Sequence, residues 1–141
     1  TGLAGVPLIG SGHTVYGLDL SVEMLDLALT KNYESVFAGN FLTDVLPWTD
    51  RFDGMICVGV IGEWVPAIPL LEKAMQHLDQ ESVIAMTLET EHSDLEVVTD
   101  YLESEGFRVT HLSQALGLSH PVYEEENYYY VLAVRSLEEA S

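Results

Sequence analysis

Gly17-Leu18-Asp19-Leu20-Ser21-Val22-Glu23-Met24-Leu25 is the stretch on which the reading of the fold turns. Thr14 to Leu18 has the character of a strand ending at Asp19, and Ser21 is a natural N-cap for a helix placing Met24, Leu25, Ala28 and Leu29 on one face. The unit is a strand, a tight turn and a helix. Upstream, Thr1-Gly2-Leu3-Ala4-Gly5 runs into an apolar helical stretch, and Asp19 follows Gly2 by 17 positions. Glycines at such a turn let a ligand approach the backbone closely, and an acid at the tip of the next strand can accept both hydroxyls of a ribose. This suits a nucleoside-bearing cofactor. The same residues also fit an ordinary glycine turn with a capping aspartate, or the tail of a dinucleotide fingerprint whose first glycine is absent.

Downstream the alternation continues. Val36 and Phe37 predict a short strand ending near Gly39, and after a loop Phe52 to Val58 is apolar enough for a strand buried on both faces. Pro66 to Leu78 carries apolar residues at helical spacing behind a proline suited to a first turn, and Ser82 to Leu88 is another buried strand. Ser93 to Glu105 reads as an amphipathic helix capped by Ser93 and stopped by Gly106, followed by a strand from Phe107 to Leu112. The connection to the last strand, Tyr128 to Val134, contains Gly117, Pro121 and Glu124-Glu125-Glu126 but no helix long enough for a parallel crossover. That strand should therefore run antiparallel to its predecessor. The pattern predicts an α/β fold with a mostly parallel sheet, as one domain over residues 1–141.

The composition narrows the partners. Five Lys and Arg against 23 Asp and Glu leave a formal net charge of −18. A surface of that sign repels a phosphate backbone and an anionic bilayer, so neither nucleic acid nor membrane is an expected partner. Cys57 is the only cysteine, which rules out an internal disulfide and fits a cytoplasmic location. No apolar run approaches the roughly 20 residues that span a bilayer, and the first residues lack the basic start of a secretion signal.

Gly17 to Leu25 resembles the GxDxSxxML segment that follows the GxGTGxxG loop of class I S-adenosylmethionine-dependent methyltransferases. The resemblance continues through Arg51-Phe52-Asp53-Gly54-Met55-Ile56-Cys57-Val58-Gly59, similar to the family's fourth strand, and through Leu70 to Thr87, its next helix and strand. It covers nearly the whole chain and points to the small-molecule, methyltransferase-like kind. It implies a Rossmann-like sheet with helices on both faces, strand order 3-2-1-4-5-7-6 and an antiparallel last strand. The family's first strand would precede Thr1, so the domain reads as N-terminally incomplete.

The resemblance implies S-adenosylmethionine as cofactor, with Gly2 under its methionine part, Asp19 holding the ribose and Leu20 against the adenine. Where the family often has an aspartate after the third strand, this chain has Gly39-Asn40-Phe41. Asn40 can accept from the adenine through its side-chain carbonyl, or bond its own backbone as a loop residue. Cys57, Val58 and Gly59 end the fourth strand, where ligands collect in open parallel sheets, and Gly59 would leave room beside the methyl group. A cysteine in an apolar strand is ordinarily a small core residue rather than a nucleophile.

Glu63 and His92 are the candidate catalytic residues. Glu63 lies just beyond the fourth strand, where many relatives place a histidine or an acid near the substrate, and suits a base or a substrate anchor. Its neighbour Trp64 is either a lid or, as the favoured reading, a packing residue. His92 follows the next strand with Glu89 and Glu91 and can assist proton removal, or simply be solvated. These three do not have metal-site spacing, His120 is distant in sequence, and no metal is predicted. At least one of Tyr128, Tyr129 and Tyr130 should pack inward.

The expected function is methyl transfer from S-adenosylmethionine to a small-molecule acceptor. An inactive fragment or non-catalytic binding module of the same fold is the alternative, and a nicotinamide-dependent oxidoreductase stands behind both. A missing central strand would leave unpaired backbone groups beside it. The expected remedies are direct pairing of the flanking strands, a strand taken from another copy, or a homodimer, with association favoured.

Overall fold

The structure, a computed structural model, describes residues 2–116 and 127–137. Contacts divide the chain into two compact units, Thr1–Thr49 and Asp50–Ser141.

In the first unit, strands β1 (Tyr16–Asp19) and β2 (Ser35–Ala38) form a two-stranded parallel ladder, with Tyr16 opposite Ser35 and Asp19 opposite Ala38. Helix α2 (Val22–Leu29) makes the crossover. Ser21 caps it as the sequence predicts, its Oγ accepting the Met24 N–H at 3.3 Å. Only Leu25 and Ala28 are buried, however, and Met24 and Leu29 are exposed. At 100° per residue those two lie on the flanks of the Leu25–Ala28 line, and so short a helix buries a single strip. Residues Leu3–Gly5 form a 3₁₀ turn leading into helix α1 (Val6–Gly10). Trp48 closes the ladder's other end: its ring meets Tyr16 and Phe37 edge-on at 5.4 and 6.3 Å between centroids, and its Nε1–H donates to Ser35 Oγ at 3.1 Å.

The second unit is a four-stranded mixed sheet. Its strands are β3 (Phe52–Ile61), β4 (Leu78–Glu89), β5 (Arg108–Leu116) and β6 (Asn127–Arg135), in the order β3-β4-β6-β5. β3 and β4 are parallel, and β6 runs antiparallel to both β4 and β5, as the sequence pattern predicts for the last strand. Helices α3 (Ala67–Met75) and α4 (Leu95–Ser104) touch each other and bury Leu70, Leu71, Ala74, Val98 and Leu102 with Ile84, Met86, Leu88, Val131 and Ala133. At the corner where the last strand ends, Arg135 donates to the carbonyls of Asp79, Gln80 and Glu105 and lies 4.6 Å from the centre of the Phe107 ring.

Three local expectations are corrected. Residues 52–58 are covered on one face only, because Cys57 and Ile61 are buried while Ile56, Val58 and Val60 are exposed, Val58 by 56%. Ile56 pairs with Ala85 and Ala85 with Leu132, and paired residues share a face, so the open face continues across the sheet to exposed Leu132. The cap of α4 is Asp94, whose Oδ1 accepts the Val97 N–H at 3.2 Å, and not Ser93, which stands one residue outside. The segment expected to be helical from Pro66 to Leu78 ends at Met75, and β4 already begins at Leu78. Gly106 stops α4 as predicted, in the left-handed conformation at φ +87°.

β1 belongs to the two-stranded ladder of the first unit and β3 to the four-stranded sheet of the second. Each pairs along one edge only among the described residues. No helix among the described residues is long and apolar enough to cross a membrane.

Candidate functional site

At the carboxyl end of β1, Asp19 is half-buried and its Oδ1 accepts the Ser21 N–H at 2.9 Å. That contact fixes the carboxylate and leaves Oδ2 as a second acceptor. Leu20 beside it is 74% exposed, an apolar surface next to an anionic acceptor. Asn40, beyond β2, uses its Oδ1 to accept the Leu42 N–H at 2.9 Å, while its own N–H donates to Asp44 Oδ2 at 2.7 Å. The loop reading of Asn40 is therefore realised, and one lone pair of Oδ1 remains for another donor. Phe41 next to it is half-buried.

Gly2 takes φ +78°, and a Cβ there would come within 2.8 Å of Ala28 Cβ and 2.9 Å of the Tyr33 ring. Tyr33, which the sequence did not single out, organises this turn. Its hydroxyl donates to Gly2 O at 2.7 Å and accepts the Gly5 N–H at 3.1 Å, and a Cβ on Gly5 or Gly17 would also crowd its ring. The glycines are thus explained by close packing on one tyrosine, whatever they do for a ligand. An isolated tyrosine 28 residues beyond Gly5 gives no sequence signal of this role.

In the second unit the three residues ending the fourth-strand motif separate. Cys57 is buried on the helix-covered face, where burial pushes its thiol up to about 11, so it carries no thiolate at neutral pH. Only its backbone is left to meet a ligand. Val58 faces outward. Gly59 has φ +71°, lies within the register shift between Cys57 and Ile61, and would meet nothing within 4 Å if it carried a Cβ. Its N–H donates to Thr87 Oγ1 at 2.8 Å, and Thr87 is buried on β4, so the strand end is pinned from its neighbour.

Just beyond β3, Gly62 N–H donates to Val65 O at 3.1 Å and closes a turn whose two central residues are Glu63 and Trp64. Trp64 is 86% exposed, which overturns the packing reading. Glu89, the last residue of β4, stands against this turn: its Oε2 accepts the Glu63 N–H at 3.4 Å, and its Oε1 lies 3.6 Å from His92 Nε2. The structure thus brings the backbone N–H of Glu63 and the ring of His92 to opposite oxygens of one carboxylate. One ligand atom each from Glu89, Glu91 and His92 lies within 4.8 Å of the others, a proximity that their spacing did not suggest. Exposed acidic groups commonly gather in this way without an ion. Tyr130 is exposed while Tyr128 and Tyr129 are half-buried. His120 and the rest of the connection that carries Gly117, Pro121 and Glu124-Glu125-Glu126 lie outside the described residues.

No family model matches the chain. No curated protein matches it either. Solved structures do. The magnesium protoporphyrin IX methyltransferase of Synechocystis, solved with S-adenosylmethionine bound, superposes with a TM-score of 0.70 at 19% identity, over 93% of this chain and 64% of its own. A TehB-like S-adenosylmethionine-dependent methyltransferase of Corynebacterium glutamicum gives 0.68 at 18% identity, over 96% and 75% of the two chains. The 1,6-didemethyltoxoflavin-N1-methyltransferase of Burkholderia thailandensis, solved with its substrate and S-adenosylhomocysteine, gives 0.67 at 16% identity, over 96% and 67%. The chain thus spans about two thirds to three quarters of the length of these proteins. Together with strands ordered β2-β1 and β3-β4-β6-β5, this establishes the fold as that of the Rossmann-like S-adenosylmethionine-dependent methyltransferases.

Proposed function

We propose that the chain acts as a cytoplasmic S-adenosylmethionine-dependent methyltransferase on a small-molecule acceptor. The observation that carries this is the end of β1, where a fixed, half-buried Asp19 carboxylate stands beside an exposed Leu20. Asp19 would accept from the ribose hydroxyls, Leu20 would lie against the adenine, and Asn40 and Phe41 would border it. Gly2, Cys57, Val58 and Gly59 are the other candidate contacts, Cys57 through its backbone alone. Two neighbours of the same fold that were crystallised with S-adenosylmethionine or S-adenosylhomocysteine are named for small-molecule acceptors, magnesium protoporphyrin IX and 1,6-didemethyltoxoflavin, whereas for another the proposed name is RNA methyltransferase.

The cofactor supplies an activated methyl group, and its transfer to a nucleophile needs chiefly alignment and exclusion of water. The protein's part is then to hold the acceptor and to receive its proton. Glu63 on its turn and His92 beside Glu89 are the groups suited to that.

Calorimetric titration with S-adenosylmethionine tests the reading on the wild type and Asp19→Ala. Removing the charged acceptor should weaken binding by about 2 to 4 kcal/mol, from two hydrogen bonds worth about 1.5 to 3 each and partly replaced by water. Equal affinity in both proteins would refute the assignment of Asp19. The open edges of β1 and β3 favour a second reading, a non-catalytic module of the same fold, which predicts no binding of S-adenosylmethionine. The same open edges favour association of two copies, since an added strand satisfies their amides and carbonyls.

A further inference from the structure

We propose that Glu89 is a positioning residue that couples the Gly62–Val65 turn to His92 through the two oxygens of its carboxylate. This rests on reading Glu63 and His92 as the residues that handle the acceptor. Glu89 is placed by the sheet, as the last residue of β4 and opposite Tyr128 of β6. Its Oε2 accepts the Glu63 N–H at 3.4 Å, and its Oε1 stands 3.6 Å from His92 Nε2, beyond hydrogen-bond length but close enough for the carboxylate charge to act on that ring nitrogen.

Room for the carboxylate depends on residue 62. A Cβ on Gly62 would run into Glu89 Oε2 and would lie 3.1 Å from Glu89 Cβ and 3.2 Å from Cδ. Gly62 does not occupy the left-handed region, so the approach of Glu89, not a backbone requirement, explains the glycine. The Gly62 N–H closes the turn onto Val65 O, so Glu63 and Trp64 stand on the peptide against which Glu89 presses.

On the other side the anionic oxygen faces Nε2 and favours the tautomer with its proton there, leaving Nδ1 as the nitrogen with a free lone pair. The proton leaving an acceptor would then be taken at His92 Nδ1. Displacing Glu89 should disturb both ends together, although Gly62 and His92 are far apart in sequence.

Ring-nitrogen chemical shifts of His92 in isotope-labelled protein, identified with a His92→Gln control, read this link directly. The wild type should show the Nε2–H tautomer, and Gly62→Ala should shift the His92 signals because its methyl pushes a flexible carboxylate aside. The same substitution made on Glu89→Ala should move them no further. Glu89→Gln retains an acceptor for Glu63, so the Glu63 amide signal should stay in place while His92 moves to the tautomer mixture of an unconstrained imidazole.

His92 signals unmoved by Gly62→Ala, moved equally without Glu89, or unchanged in Glu89→Gln would overturn the proposal. If Gly62→Ala fails to fold, the Glu89→Gln comparison decides alone. S-adenosylmethionine titrated into the same samples separates the two claims. A coupled His92 without cofactor affinity removes the methyl-transfer reading and leaves the Glu89 link standing, whereas affinity without coupling does the reverse.

Discussion

Cys57 shows how burial decides what a residue does. It lies in the carboxyl half of the apolar strand β3, on the side where a nucleophile would be useful, yet its side chain belongs to the core beneath α3 and α4. Burial raises its thiol from 9.0 to about 11, so the folded chain holds that proton more tightly than the unfolded chain. The associated stability is fully present below pH 9 and is lost as the pH rises through about 11, by about 3 kcal/mol at most for a shift of this size. Urea unfolding at alkaline pH should therefore weaken the wild type more steeply than Cys57→Ala, and a thiol reagent at neutral pH should label only the unfolded protein. Parallel alkaline losses in both proteins, or rapid labelling of the native one, would remove this account. The tyrosines, which also titrate in that range, are common to the two proteins and cancel in the comparison.

At the scale of elements, helix starts can be separated by a single residue. Ser93 and Asp94 are both good N-cap types, and adjacent candidates are not told apart by preference alone. The chain turns helical after Asp94, whose carboxylate accepts the Val97 N–H, while Ser93 Oγ is buried without a partner. Asp94→Ala should therefore cost about 1 kcal/mol, within the usual 0.5 to 2, and Ser93→Ala close to nothing on this account. Chemical denaturation reversing that order would show that the cap is misassigned. Elements whose pattern is set locally were legible in advance: the Asp19-to-Ser21 turn with its capped helix, the Gly106 stop, and an antiparallel last strand, expected because the sequence before it carries no helical pattern long enough for a parallel crossover. What depends on distant neighbours was not. Nothing near Val58 or Val60 tells that one face of β3 is left open, nothing near Gly5 points to Tyr33, and Glu89 gains its place from Gly62 across a parallel ladder.

For the molecule as a whole, two opposing terms govern association. β1 and β3 each pair along a single edge among the described residues, and Ile56, Val58 and Val60 add exposed apolar surface beside the second of these edges. Both features favour joining a second copy. The formal net charge of −18 opposes it, since two such copies repel over a distance set by the ionic strength. The screening length falls from about 30 Å at 0.01 M salt to about 8 Å at 0.15 M and about 3 Å at 1 M. Apolar burial and strand pairing are not weakened in that way. Light scattering at neutral pH and fixed protein concentration should therefore find mainly monomer at low salt and a growing share of dimer as sodium chloride is raised. A strict monomer up to 1 M salt would show that the open edges do not drive association. A dimer that dissociates on adding salt would mean that the interface is held by ion pairs, and would turn attention from these strands to the few cationic side chains, Lys31, Arg51, Lys73, Arg108 and Arg135.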